Sequence, residues 1–238
     1  MAEPLDARSI PFLILLILGV VISIRKKKLT PFAAFTGAIC ATLIYDATQY
    51  AGFLMLTMFF VTGTIATAIG RKQKEGLERG ESTQRKYGQV IANAGMATIL
   101  AVLAIEYPDY QNLCIFMLAG SLASATSDTL SSELGTLYGK KFYNCLTWKK
   151  DQKGLDGVVS LEGTLAGIVG GTLIAVIYAI AYGWNINFIL IIIAATIGNF
   201  MDSIFGATLE RRKILTNDAV NFLSTLFAAG FCLLTSLL

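Results

Sequence analysis

The sequence predicts an all-α fold: a polytopic transmembrane helical bundle of about eight spans, with both termini outside. Three observations carry this. The 238-residue chain is 55% hydrophobic and only 15% charged, and its mean hydropathy of +0.63 is well above that of a soluble domain. Its charges collect in clusters between apolar runs, each run close to the roughly 20 residues that cross about 30 Å of hydrocarbon. Its Lys and Arg residues fall almost entirely in alternate loops, which sets an orientation.

The apolar runs lie at 10–24, 31–46, 51–70, 87–106, 112–131, 159–182, 186–208 and 217–237. The first is short, but Arg25, Lys26, Lys27 and Lys28 follow it, and their long stems snorkel to the interface and extend the span. A cleaved signal peptide is the rival reading of that run. Basic residues on the wrong side and the lack of a small-residue cleavage site argue against it. Loops 25–30, 71–86, 132–158 and 209–216 contain 4, 6, 5 and 3 basic residues, 18 of the 19 in the chain, and only Arg8 lies elsewhere. The intervening loops, near 46–50, 107–111 and 183–187, have none. The expectation is one integral membrane domain over 1–238, multi-pass in the cell membrane, with the four basic loops cytoplasmic. The charge-rich stretch 71–86 reads as a solvated loop with room for a short helix.

The net charge of +3 is then a product of topology, and no nucleic-acid partner is implied. Cys40, Cys114, Cys145 and Cys232 have no CxxC spacing, so neither a disulfide framework nor a zinc site is indicated. Histidine is absent, which removes the usual general base and leaves carboxylate, amide, hydroxyl and Lys/Arg chemistry.

Two acids interrupt the apolar runs, Asp128 in SLASATSDTLSSELG and Asp202 in GNFMDSIFGATLE. A carboxylate in hydrocarbon costs a few kcal/mol at least and marks a polar cavity, a partner or a cation. Both runs travel from outside to inside, so both acids fall in the cytoplasmic leaflet. Gln89 and Asn93, Asp156, Ser160 and Thr164, and Asn217 and Asn221 open the fourth, sixth and eighth runs on that side. Helical spacing places Asn199, Asp202, Ser203 and Gly206 on one face, and Asp128, Ser131, Ser132 and Gly135 on another. Glu133 points away from Asp128 on an ideal helix and converges with it only if the helix unwinds toward Gly135.

Packing competes with function at several of these positions. Ser160, Gly163, Thr164, Gly167 and Gly171 form a small-residue face of the kind that brings membrane helices together. Ser131, Ser132 and Ser203 can bond to carbonyls one turn back. Packing offers no account of Asp128 and Asp202. Mg²⁺, a hard cation bound by one or two carboxylates plus phosphate oxygens, is the natural counter-ion. There is no Walker loop and no GxGxxG, so phosphate would be met by Lys and Arg of the inner loops and by helix starts, with KKDQKGLDGVVSLEGT (149–164) suited to the task.

The segments QVIANAG (89–95), SDTLSSELG (127–135), DGVVSLEGTLAG (156–167), GNFMDSIFGATLE (198–210) and NDAVN (217–221) resemble an integral membrane family first catalogued as a domain of unknown function. That family contains transmembrane protein 19 and the chloroplast phytyl-phosphate kinase of vitamin E synthesis. The resemblance implies a multi-span enzyme that phosphorylates an isoprenoid monophosphate to the diphosphate, with CTP or another nucleoside triphosphate as donor and Mg²⁺ as cofactor. It also implies roles at Asp128, Glu133, Asp202, Ser203, Asn217 and Asn221.

The chemistry fits these residues. A phosphate monoester, with a second pKa near 6, is a ready nucleophile at neutral pH and needs no histidine. Asp128 and Asp202 are the expected metal ligands, and Glu133 a third or an orienter of a cation. Arg85, Lys86, Lys149, Lys150, Ser160 and Thr164 are the expected phosphate contacts. Gln89, Asn93, Ser132, Asp156, Asn199, Ser203, Asn217 and Asn221 complete the substrate and nucleotide site. The partners are a lipid-like prenyl phosphate, the nucleotide and the membrane, with a homo-oligomer left open. A CTP-dependent lipid cytidylyltransferase would need the same acids, and an ion-coupled secondary transporter or a non-catalytic scaffold are the readings from other classes.

Overall fold

The start of each helix in the second half of the chain is written locally. Ser160 accepts a hydrogen bond from Gly163 N at 3.1 Å, Asn185 from Asn187 N at 2.9 Å, and Thr216 from Ala219 N at 3.3 Å. Thr30 does the same for Ala33 N at 3.2 Å, just ahead of Pro31. Each side chain satisfies one of the amides that a helix leaves open at its N-terminus, and Pro31 lacks the amide altogether. A computed structural model describes residues 9–69 and 84–238. The stretch 71–83 of the expected solvated loop, and Arg8, lie outside the described residues.

The described helices are α1 (Ser9–Arg25), α2 (Pro31–Thr48), α3 (Tyr50–Ala68), α4 (Tyr87–Glu106), α5 (Gln111–Tyr138), α6 (Leu161–Tyr182), α7 (Ile186–Phe205) and α8 (Asn217–Ser236). They fall on the eight apolar runs. Six of them, α3 to α8, are long and apolar enough to cross a membrane. At 17 residues α1 is shorter, and α2 carries Asp46 near its end. A π turn over Gly206–Glu210 extends α7. The one piece of sheet among the described residues is a two-residue antiparallel pair, β1 (Tyr143–Asn144) with β2 (Val158–Val159).

Helix α5 is the axis of the bundle. It packs against α3, α4, α6, α7 and α8, and 78% of its spanning window is buried. Between lipid and protein there is no hydrophobic gain from such burial, so close contact and van der Waals packing must hold the helices together. The SLASATS run of small residues provides that contact. A Cβ on Gly135 would stand 2.8 Å from Gly163 Cα, and one on Gly170 would stand 3.1 Å from Thr126 O. The α5–α6 seam therefore runs through glycines, as the small-residue face of α6 leads one to expect.

Leu118, Leu122, Ile174 and Ile191 fill the core beside this axis. By contrast Ile17, Val169 and Ile180 stand exposed on the outside, where acyl chains would meet them. Helix α1 attaches through α2, with Phe12 stacked on Tyr45 at 3.8 Å and edge-on to Phe53. All four cysteines are free and buried, in keeping with the absence of any disulfide pattern.

Candidate functional site

Because the helices run up and down in sequence, one end of the bundle gathers the C-termini of α1, α3, α5 and α7 and the N-termini of α2, α4, α6 and α8. The expected polar residues lie at this end. A cavity of about 1100 Å³ opens there, lined among others by Asp128, Glu133, Arg85, Gln89, Asn93, Ser132, Asp156, Ser160, Asn199, Asp202, Ser203, Asn217 and Asn221.

Asp128 of α5 and Asp202 of α7 meet inside it. Their carboxyl groups come within hydrogen-bonding reach of each other across the helix interface. Asp202 Oδ1 is buried with no hydrogen-bond partner among the described residues. Helix α6 comes close to the residues beside them: a Cβ on Gly167 would stand 2.8 Å from both Asn199 Nδ2 and Ser127 Oγ. Asn199 is itself buried, and Ser127 Oγ is a second buried polar atom with no hydrogen-bond partner among the described residues.

Glu133 takes a different course. Helix α5 continues unbroken to Tyr138, so the unwinding at Gly135 that would turn Glu133 toward Asp128 does not occur. Its Oε1 accepts a hydrogen bond from Thr67 Oγ1 of α3 at 2.7 Å. Among the described residues no three His, Cys, Asp or Glu side chains converge to hold a metal ion, and the expected third ligand is not brought to the pair. A two-carboxylate site still fits Mg²⁺, which retains waters and takes its other oxygens from a substrate phosphate. The orphaned Oδ1 is the observation that favours such a guest, since a buried polar oxygen without a partner is costly.

The expected phosphate contacts divide. Arg85 lines the cavity, with its guanidinium carbon 5.6 Å from the centre of the Phe59 ring. Burial pushes its pKa down from the usual arginine value. Lys86, Lys149 and Lys150 are exposed and outside the cavity lining. Lys150 pairs through its backbone with Tyr143 on the hairpin. Ser160 spends its hydroxyl on capping α6. Thr164 donates to Ser160 O at 3.0 Å and lines only a small adjoining pocket with Asn199 and Ser203. Ser132 and Ser203 donate to Thr129 O and Asn199 O at 3.2 and 3.3 Å, the back-bonding that also accounts for them without a ligand.

The loop between α5 and α6 forms a wall of the cavity. Gly154 and Gly157 have φ of +83° and +70°, backbone that favours glycine, and Gly157 lies directly on Ala207 and on Ser203 O of the α7 extension. Arg211 fixes the loop from the other side. Its Nε donates to Asp156 O at 2.6 Å and its Nη2 to Asp151 Oδ2 at 3.0 Å. The Asp151 carboxyl is held below the usual carboxylate range by the Gln152 amide, then by Arg211 and Asn144.

Sequence reasoning did not select Lys26, Lys27, Lys28 or Glu210, all of which line the cavity. The lysines had a sufficient explanation as a topological flank. Glu210 stands in the charged flank that follows the seventh apolar run. The under-wound π turn keeps it on the cavity side, where Asn217 reaches its carboxyl.

A model of the integral membrane protein family DUF92 matches residues 14–229, which takes in every helix that lines the cavity. The chain belongs to this family. Two similar relatives are uncharacterized membrane proteins. That of Synechocystis is 32% identical over 216 residues, covering 87% of this chain and 83% of the relative. That of Methanocaldococcus jannaschii is 33% identical over 217 residues, covering 90% and 88%. The chloroplastic protein VTE6 of Arabidopsis thaliana is 32% identical over 200 residues, 78% of this chain and 59% of its own length. No solved structure matches. With its apolar helices, this DUF92 protein is a multi-pass membrane protein.

Proposed function

We propose that this DUF92 protein is a Mg²⁺-dependent kinase that converts an isoprenoid monophosphate, of phytyl or geranylgeranyl type, to its diphosphate, with CTP or another nucleoside triphosphate as donor. The observation that carries this reading is the Asp128–Asp202 pair with its unpartnered Asp202 Oδ1, at the floor of a polar cavity placed at one end of a membrane bundle. Similarity to VTE6 and the motif resemblance around both acids support it. The basic residues that share this end of the bundle favour the cytoplasmic side.

Asp128 and Asp202 would hold Mg²⁺, which supplies charge neutralisation between two polyanions. Arg85 offers a fixed positive charge to phosphate oxygens, and the amides of Asn93 and Asn221 extend the polar lining. No residue is needed as a strong base, because the acceptor phosphate is already largely dianionic at neutral pH. Catalysis then rests on positioning and electrostatic stabilisation, as phosphoryl transfer generally does. A prenyl tail can stay between helices in lipid while its phosphate enters the cavity. Polar residues gathered at one end, rather than at the bilayer midplane, count against an ion-coupled transporter.

The test is direct: purified protein with CTP, Mg²⁺ and geranylgeranyl or phytyl phosphate. The expected products are the prenyl diphosphate and CDP. Pyrophosphate release with a CDP-linked lipid would instead mark a cytidylyltransferase. No diphosphate across several chain lengths and nucleotides would overturn the kinase reading.

A further inference from the structure

The four basic residues after α1 have a topological explanation, but three of them do more than face the headgroups. Lys26, Lys27 and Lys28 line the same cavity as Arg85, although nearly sixty residues of sequence separate them. Backbone pairing accounts for this. Arg85 N donates to Lys28 O at 2.9 Å and Thr30 N donates to Arg85 O at 3.2 Å, a short parallel bridge centred on Leu29 and Arg85. The turn that brings the lysines there is tight: Lys27 has φ of +52°, and both Lys28 N and Leu29 N return to Ser23 O. Left-handed backbone is disfavoured for a non-glycine residue, so the tight turn is held by its hydrogen bonds to Ser23 O.

Arg85 completes the group. A Cβ on Gly63 would stand 2.8 Å from Arg85 Nη2 and 3.1 Å from Thr129 Cγ2, so the absence of a side chain there lets the guanidinium reach the residue next to Asp128. Among the described residues no carboxylate forms an ion pair with it. Apart from the Phe59 ring, this partly desolvated cation has no charged partner among the described residues, which leaves it free to meet an anion. Asp128, Asp156, Asp202 and Glu210 line the cavity as well, so it presents an acidic group and a basic group to one guest.

We propose that Arg85 with Lys26, Lys27 and Lys28 forms a phosphate seat in this cavity, distinct from the carboxylate pair, which binds the phosphate oxyanions of a substrate. Its part in phosphoryl transfer rests on the kinase reading; its affinity for phosphate does not. Two ligands share the required chemistry, the polyphosphate tail of the nucleotide and the monophosphate head of the prenyl substrate. Arginine suits either, since its planar fork meets phosphate oxygens two at a time, while lysines add charge without fixed geometry.

The experiment uses the full chain in nanodiscs of zwitterionic lipid, which present no anionic headgroup. One arm measures equilibrium binding of pyrophosphate and of CTP without Mg²⁺; the other measures binding of geranylgeranyl phosphate. Arg85→Gln is expected to weaken one ligand class about tenfold or more and leave the other within about twofold, which identifies the source. Lys27→Gln, on an exposed side chain, is expected to weaken the same class severalfold, and Lys27→Arg to restore it. These lysine variants keep the test valid if Arg85→Gln does not fold. Binding of neither class by the unaltered protein, or unchanged binding in both Gln variants, would overturn the seat. Binding lost in the variants from a protein that transfers no phosphate would retain the seat and remove the kinase. Transfer with both KM values unchanged in the variants would do the reverse.

Discussion

The carboxyl groups of Asp128 and Asp202 approach within hydrogen-bonding reach although they come from helices α5 and α7 and stand 74 residues apart in sequence. Two carboxyls so placed in a low-dielectric site repel whenever both are charged, and packing energy gains nothing from keeping them. A divalent cation would relieve the repulsion and give Asp202 Oδ1, the oxygen left without a partner among the described residues, something to bind.

Asp128→Asn and Asp202→Asn should each lower prenyl diphosphate formation on the order of 100-fold or more, the size of effect expected when a group that stabilises transition-state charge is removed. Neither should cost stability in metal-free buffer, because an amide removes the like-charge repulsion in the same volume. Thermal unfolding in detergent checks both statements together. The unaltered protein should rise in Tm with added Mg²⁺ and the variants should not. A Mg²⁺-induced rise retained in both variants would place the metal elsewhere.

Gly167→Ala tests the close packing of α6 on Asn199 and Ser127, which lie near Asp202 and Asp128 in sequence. The new methyl would stand 2.8 Å from Asn199 Nδ2 and Ser127 Oγ and 3.0 Å from Ser127 O, with rigid backbone on one side, so Asn199 must yield. The expected cost is about 1–3 kcal/mol of stability, as for other overpacked sites, together with a loss of activity greater than that of Gly230→Ala. Gly230 has nothing within 4 Å of its Cβ position. Equal Tm values for the two variants would show that the seam is looser than its geometry indicates.

Much of this was legible in the sequence. The positions of the eight described helices followed from hydropathy, and the shared end of Asp128 and Asp202 followed from placing both acids on one membrane face, each on a polar stripe of its own helix. What escaped was set by contacts that no periodicity encodes. The pairing of Leu29 with Arg85 draws the first loop into the cavity, and a lysine that faces a ligand has the same sequence as one that faces headgroups. Lys149 and Lys150 were expected as phosphate contacts because they precede a glycine turn, but the hairpin register leaves them outside the lining. Glu133 was open in the sequence for a physical reason: its direction depended on whether α5 unwinds before Gly135, and the small residues of that seam pack well enough as regular helix.

The Asp151–Arg211 pair gives a pH dependence with a defined sign. The folded-state pKa of Asp151 is depressed, so its contribution is fully present above the unfolded value of about 3.9 and is lost as pH falls through the lower folded value. Protection of residues 143–158 from hydrogen exchange, corrected for intrinsic rates, should therefore be constant from about pH 8 to pH 5 and decline only below about pH 4. Asp151→Asn should remove that decline. A step near neutral pH would have to come from another group.

Cys145 reports on the same loop from the inside. Its thiol is buried and donates to Ser203 O at 3.3 Å, its amide donates to Gly157 O at 3.0 Å, and burial pushes its pKa up. Reaction with a maleimide needs an exposed thiolate, so labelling at neutral pH should wait for the loop to lift from α7. Arg211 is the outer tie, with hydrogen bonds to both Asp151 and Asp156. Arg211→Gln should speed labelling of Cys145 about tenfold, read by mass spectrometry so that Cys40, Cys114 and Cys232 serve as internal references with unchanged rates. Arg211→Lys should fall between, since lysine keeps the charge but not the fork. If Arg211→Gln labels no faster, the tie is made by Gly157 against Ala207 and Ser203 instead, and the bulkier Gly157→Ala becomes the variant that opens the loop.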